Sequence, residues 1–250
     1  MLSPLLFLAV QAAAGPQLPA GATPEARYNQ CVDAATTAPD VAERIAGQWR
    51  LAGGGFLARQ CLGMSYATRQ KWSAAAEAFE QAAREAEVAK DARAANYWAQ
   101  AGNARLADGD TAAAGTALDA ALASGTLTGL ARGEAQLDRA RVRVAAGDLA
   151  GARGDIDRAL KDAPADPLAW LLSATLARRA SDLPRARTDI AEAVRRSADD
   201  PSVQMEAGNI AGLSGDAKAA RAAFEAVQRL APDSPQAKAA SAALDTLPPA

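Results

Sequence analysis

Two cysteines, Cys31 and Cys61, and the complete absence of histidine define the chemistry open to this chain. Without imidazole, the commonest general base, the commonest metal ligand and the side chain that titrates near neutrality are all missing. No Ser–His–Asp or Cys–His nucleophile can be assembled. Ser214 lies in Gly212-Leu213-Ser214-Gly215, which lacks the glycine spacing of a nucleophile elbow. The carboxylate pairs Asp155/Asp157 and Asp199/Asp200 have no flanking apolar pocket in sequence, so they read as helix-surface or helix-start charges. Two lone cysteines cannot complete a tetrahedral metal shell. The expectation is a chain with no catalytic residues, no metal and no cofactor.

Cys31 and Cys61 fall on two separate predicted helices, 30 positions apart. In an oxidising compartment this minimal, even pair forms a disulfide, and closing such a loop stabilises by about 3–4 kcal/mol. The other reading is two buried thiols acting as small hydrophobes. The N-terminus speaks to the compartment. Residues Met1 to Ala14 carry an apolar run that ends in Ala12-Ala13-Ala14-Gly15, as in a secretory signal over residues 1–20 with cleavage near 14. No Lys or Arg precedes the run, and a frayed or interaction-prone helix is the competing reading. The stretch is too short to span a bilayer, and Cys31 is too far from it to take a lipid in the usual way. A periplasmic or secreted protein is expected, with no integral membrane segment in the mature chain.

The elements that hold these residues follow from composition. Half of the 250 residues are apolar, yet aromatics make up only 4%, and alanine dominates. Alanine favours helices and lets them approach closely, but it cannot fill a thick globular core. Strand-forming residues never alternate over a useful length, so the class is all-α. With 27 basic and 29 acidic residues there is no basic face for nucleic acid.

A self-similar pattern organises most of the chain. Leu62-Gly63-Met64-Ser65-Tyr66 precedes Ala75, Phe79 and Ala82. Trp98 and Ala101-Gly102 precede Ala114, Leu118 and Ala121. Ala140 precedes Ala152, Ile156, Ala159 and Pro164. Trp170 and Ala174 precede Ala186, Ile190 and Ala193, and Gly208 precedes Ala220, Phe224, Val227 and Pro232. Positions 63, 102, 140, 174 and 208 are 39, 38, 34 and 34 residues apart. Gly109-Asp110, Gly147-Asp148 and Gly215-Asp216 mark turns between paired helices. This resembles the tetratricopeptide repeat, a helical hairpin of about 34 residues. The first two intervals exceed that length, which requires extended helices or longer turns. The resemblance implies a right-handed α-solenoid of about five hairpins over residues 55–232. A degenerate helical pair at 24–54 precedes them, and a capping helix with a tail follows at 233–250. Trp98 and Trp170 occupy positions where the family packs a large residue, and Trp72 opens a second helix, so core or turn packing is expected of all three.

In this family the first helices line the concave face. The matching positions here are Gln60 and Met64, then Ala99, Asn103 and Leu106, then Leu137, Arg141 and Val144. They continue with Leu171, Thr175 and Arg178, and end with Met205, Asn209 and Leu213. The resemblance implies a groove for an extended or helical peptide, with Asn103 and Asn209 bonding its amides and Arg141 and Arg178 pairing with carboxylates. A merely solvated inner surface is the alternative. The carboxylate clamp for chaperone C-termini needs Lys and Asn where Gln60 and Met64 stand, so that variant is disfavoured. The functional expectation is a non-catalytic scaffold or adaptor of the cell envelope with a protein or peptide partner. Its competitor is a small-ligand-binding or cell-wall-processing protein that uses the array as an accessory module, and self-association through the terminal faces is a further possibility.

Overall fold

The computed structural model describes residues 23–248, so the expected signal at 1–20 lies outside the described residues. Thirteen helices follow one another with no strand among the described residues: α1 (Pro24–Thr37), α2 (Pro39–Leu51), α3 (Gly55–Thr68), α4 (Trp72–Val88), α5 (Ala94–Asp108), α6 (Thr111–Ala123) and α7 (Gly129–Ala145), then α8 (Leu149–Asp162), α9 (Pro167–Arg179), α10 (Leu183–Arg196), α11 (Pro201–Leu213), α12 (Ala217–Leu230) and α13 (Pro235–Thr246).

Local chemistry starts most of them. Asp110, Asp148, Asp182 and Asp216 cap α6, α8, α10 and α12, each carboxylate accepting a backbone N–H three residues on. Asp166 and Asp200 cap α9 and α11, with Pro167 and Pro201 at the first helical position, where the missing N–H costs nothing. Gly109, Gly147 and Gly215 turn the chain with φ of +85°, +79° and +78°, a region that favours glycine. The two long intervals have separate causes. Helix α4 runs for 17 residues against 14 in α8, α10 and α12. The chain then takes a longer connection over 124–128 into α7, which also has 17 residues.

Each helix packs against the next, and the first helices α5, α7, α9 and α11 also pack on one another in turn. The second helices make no comparably close approach, so the stack curves with its first helices inside. Crossings explain the residue pattern. A Cβ on Gly63 would lie 2.6 Å from the Phe79 ring, one on Gly102 2.5 Å from Leu118, and one on Gly208 2.4 Å from Phe224. Where alanine replaces the crossing glycine, at 140 and 174, the facing residue is the narrower Ile156 or Ile190. The buried side chains form a string of small clusters, one per hairpin junction, rather than a single core.

At the N-terminal end α1 packs on both α2 and α3. A disulfide joins Cys31 to Cys61 across α1 and α3, with Cα atoms 6.0 Å apart and both residues fully buried. Ser65 donates to the Pro39 carbonyl at 2.6 Å, fixing the α1–α2 corner onto α3.

One sequence-based expectation is overturned inside the array. Asp155 is not a surface charge: it is 0% exposed. Arg139 grips it with two hydrogen bonds of 2.9 and 2.6 Å, Arg143 lies 3.2 Å away, and Arg158 also binds it. One repeat later, buried Asp189 accepts from Ser173 at 2.5 Å. Other repeats hold alanine at the positions of Asp155 and Asp189, as at Ala117 and Ala223. A period-based reading sees a carboxylate in sequence and cannot see the arginines that fold over it.

Candidate functional site on the concave face

Two pockets open on the concave side, one on each flank of α7. The first, about 360 Å³, lies between α5 and α7 and reaches back to the α3–α4 turn. Asn96, Gln100 and Asn103 contribute from α5, Glu134 and Asp138 from α7, and Trp72 and Phe79 from α4. The spacing is that of single helical faces: 96, 100 and 103 are one stripe of α5, and 134 and 138 are one turn apart on α7. The second pocket, about 200 Å³, lies between α7 and α9, with an apolar floor of Val144, Ile156, Leu172 and Leu176 and with Arg141 and Arg179 at its edge.

The electrostatics differ between the two. Asn103 donates to Asp138 at 3.0 Å, tying α5 to α7, and Asp138 also pairs with Arg141 at 2.6 Å. Glu134 has no such cation among the described residues. Although Glu134 is exposed, partial desolvation by the pocket wall raises its pKa above the usual carboxylate range, and the charges of Asp166 and Asp138 add to the shift. Gln100 accepts from Gln60 at 3.3 Å, and Gln60 accepts from the Tyr28 hydroxyl at 2.8 Å. That amide relay uses the Gln100 oxygen and leaves its N–H groups without a partner among the described residues.

The expected groove residues divide accordingly. Asn103 lines the first pocket, and Arg141 and Thr175 line the second. Gln60 is only 8% exposed and spent on Tyr28 and Gln100, so it is a structural link between helices rather than a groove contact. Met64 packs among the buried clusters of the first repeat, and Leu106 packs against the cluster around Leu118. Arg178 is committed to Glu206, with contacts of 2.6 and 3.2 Å, in a pair that joins α9 to α11. Asn209 is half-buried on α11 and lines neither pocket. Leu137, carried over as a groove position, is 1% exposed in the core.

Sequence reasoning missed Trp72, Asn96, Gln100, Glu134, Asp138 and Arg179. The signal was present as polar residues at helical spacing, 96–100–103 and 134–138–141. Trp72 opens α4 as expected, yet it also faces the first pocket. Trp98 and Trp170 pack at the edges, their indole N–H groups donating to Glu87 and to the Pro164 carbonyl.

Among the described residues no cluster of Cys, Asp and Glu could hold a metal ion, and no helix is long and apolar enough to cross a membrane.

Solved structures share the architecture. PilF of Pseudomonas aeruginosa superposes with a TM-score of 0.72 at 16% identity, covering 88% of this chain and 96% of that one. PilW, described as a widely conserved type IV pilus biogenesis factor, gives 0.69 at 20% identity over 85% and 97% of the two chains. YrrB, described as a TPR protein with an unusual peptide-binding site, gives 0.55 at 16% identity over 78% and 96%. At such identities the likeness is one of fold. No curated protein sequence matches this one. The family profile described as Tetratricopeptide repeat matches residues 99–167, 137–201 and 171–235, together more than half of the chain. With that match and five glycine- or alanine-centred hairpin crossings in register, the chain belongs to the tetratricopeptide-repeat family.

Proposed function

We propose that this protein is a non-catalytic scaffold of the cell envelope that holds an extended segment of a partner polypeptide in its concave groove. The carrying observation is the pair of pockets flanking α7, both opening on the surface where α5, α7 and α9 lie side by side. Amide groups on Asn96, Gln100 and Asn103 supply donors and acceptors for a peptide backbone, and the apolar floor of the second pocket takes a side chain. The envelope assignment draws on the signal-like apolar run expected to form a leader at residues 1–20, on the Cys31–Cys61 bridge, which suits an oxidising compartment, and on the fold shared with a pilus biogenesis factor.

Site-specific photocrosslinking in living cells tests it. A photoreactive residue at Asn96 or Thr175 should trap a discrete partner, whereas one at Leu230, exposed on α12, should not. Equal trapping from all three, or trapping from Leu230 alone, would remove the groove from the function.

A further inference from the structure

The two pockets offer opposite chemistry to anything lying across them. In the first, the carboxylates of Glu134 and Asp138 face a wall that carries the Trp72 indole. Asp138 is already shared by Asn103 and Arg141, but the charged groups acting on Glu134 are the carboxylates of Asp166 and Asp138, with no cation among them. A cation placed there would gain a charge-assisted bond and an aromatic neighbour, and it would relieve like-charge repulsion. The second pocket has an apolar floor rimmed by two guanidinium groups, Arg141 and Arg179. Arg141 is engaged by Asp138, and Arg179 forms no ion pair among the described residues. That rim favours an anion beside a buried aliphatic group.

Because the pockets sit on opposite flanks of one helix, about 10 Å separates them, a reach of about three residues of extended chain. A small cation would satisfy the first pocket alone and leave the second empty. A polypeptide satisfies both. We infer that the groove selects an extended segment bearing a lysine or arginine for the Glu134 pocket and, about three residues away, an aliphatic residue adjacent to a carboxylate for the Arg179 pocket. The inference rests on groove binding as proposed above and adds the sequence that the groove reads.

A positional-scanning octapeptide library probed with the full chain tests it. Bound peptides should be enriched in Lys or Arg at one position and in Leu, Ile or Val beside Asp or Glu about three positions away. Glu134 lies at the surface and its replacement leaves the core untouched, so Glu134→Lys should keep the melting temperature. That variant should weaken the selected peptide at least tenfold and strengthen its Lys-to-Glu counterpart, a charge swap that misfolding cannot imitate. Arg179→Glu should in turn remove the preference for Asp or Glu. If the folded chain retains no peptide at all, groove binding itself fails. If peptides are retained without a basic preference, or with one that Glu134→Lys leaves unchanged, groove binding stands and this inference fails. If spermidine or lysinamide binds as tightly as the selected peptide, the site is one for small cations, and the inference is likewise overturned.

Discussion

Gly208 and Phe224 illustrate how single residues set the hairpin geometry. The ring fills the space that a Cβ would need, 2.4 Å away. Gly208→Ala should therefore destabilise by about 1–3 kcal/mol through overpacking. Adding Phe224→Ile should recover part of the loss, since Ala174 already faces Ile190. Urea unfolding of the two single variants and the double variant measures this, and strictly additive effects would contradict direct contact. The buried carboxylate Asp155 is the second residue-scale test. Burial raises its pKa, but hydrogen bonds from Arg139 and Arg158 outweigh that and hold it below the ordinary range. Its contribution is thus fully present above its unfolded pKa of about 3.9 and is lost as the pH falls through the lower folded value. Asp155→Ala should cost about 3 kcal/mol or more at neutral pH, because it strands arginines around a buried site. The gap in melting temperature between Asp155→Asn and the parent should narrow only in the acid limb below about pH 4. A gap that closes on the alkaline side instead would reverse the sign of the argument.

Helix termini decide the elements, and they depart from the common pattern in two places. Three of the hairpin turns carry glycine with positive φ ahead of a capping aspartate, but the α9–α10 turn uses Ser181 at φ +60° before Asp182. Ser181→Gly should stabilise the chain by about 1 kcal/mol, the strain of a left-handed non-glycine residue, seen as a higher urea midpoint with unchanged slope. In the first repeat Gln70 takes φ +56°, and Lys71 offers α4 no side-chain cap. The glycine-aspartate marks were visible in sequence. The serine and glutamine turns were not, because neither residue advertises positive φ. The face of α7 was misjudged for a related reason. Positions carried over from a family resemblance fix a register but not the local rotation of a helix, so Leu137 is expected on the concave face yet lies in the core, whereas Glu134 and Asp138 line the first pocket.

Across the whole molecule, stability should behave as a chain of neighbour contacts, since each hairpin touches chiefly the next. The Cys31–Cys61 bridge ties α1 to α3 only. Reduction should accordingly speed amide hydrogen exchange in α1 and α2 while leaving α9 to α12 protected as before. Uniform acceleration along the chain would mean that the array unfolds as one unit. The same architecture brings residues from α4, α5 and α7 to a single pocket, with Trp72 and Asp138 66 positions apart in sequence.

The sequence by itself determined the helical class, the repeat period, the crossing residues and the candidate cysteine pair, because all of these rest on local spacing and on residue size. Tertiary structure alone decided which polar groups are spent internally and which stay open on the surface. Gln60, Arg178 and Asp155 find their mates 40, 28 and 16 positions away, in Gln100, Glu206 and Arg139, whereas Glu134 finds no cation among the described residues. A charge becomes a site or a strut according to what folds against it, and that is set by the curvature of the stack.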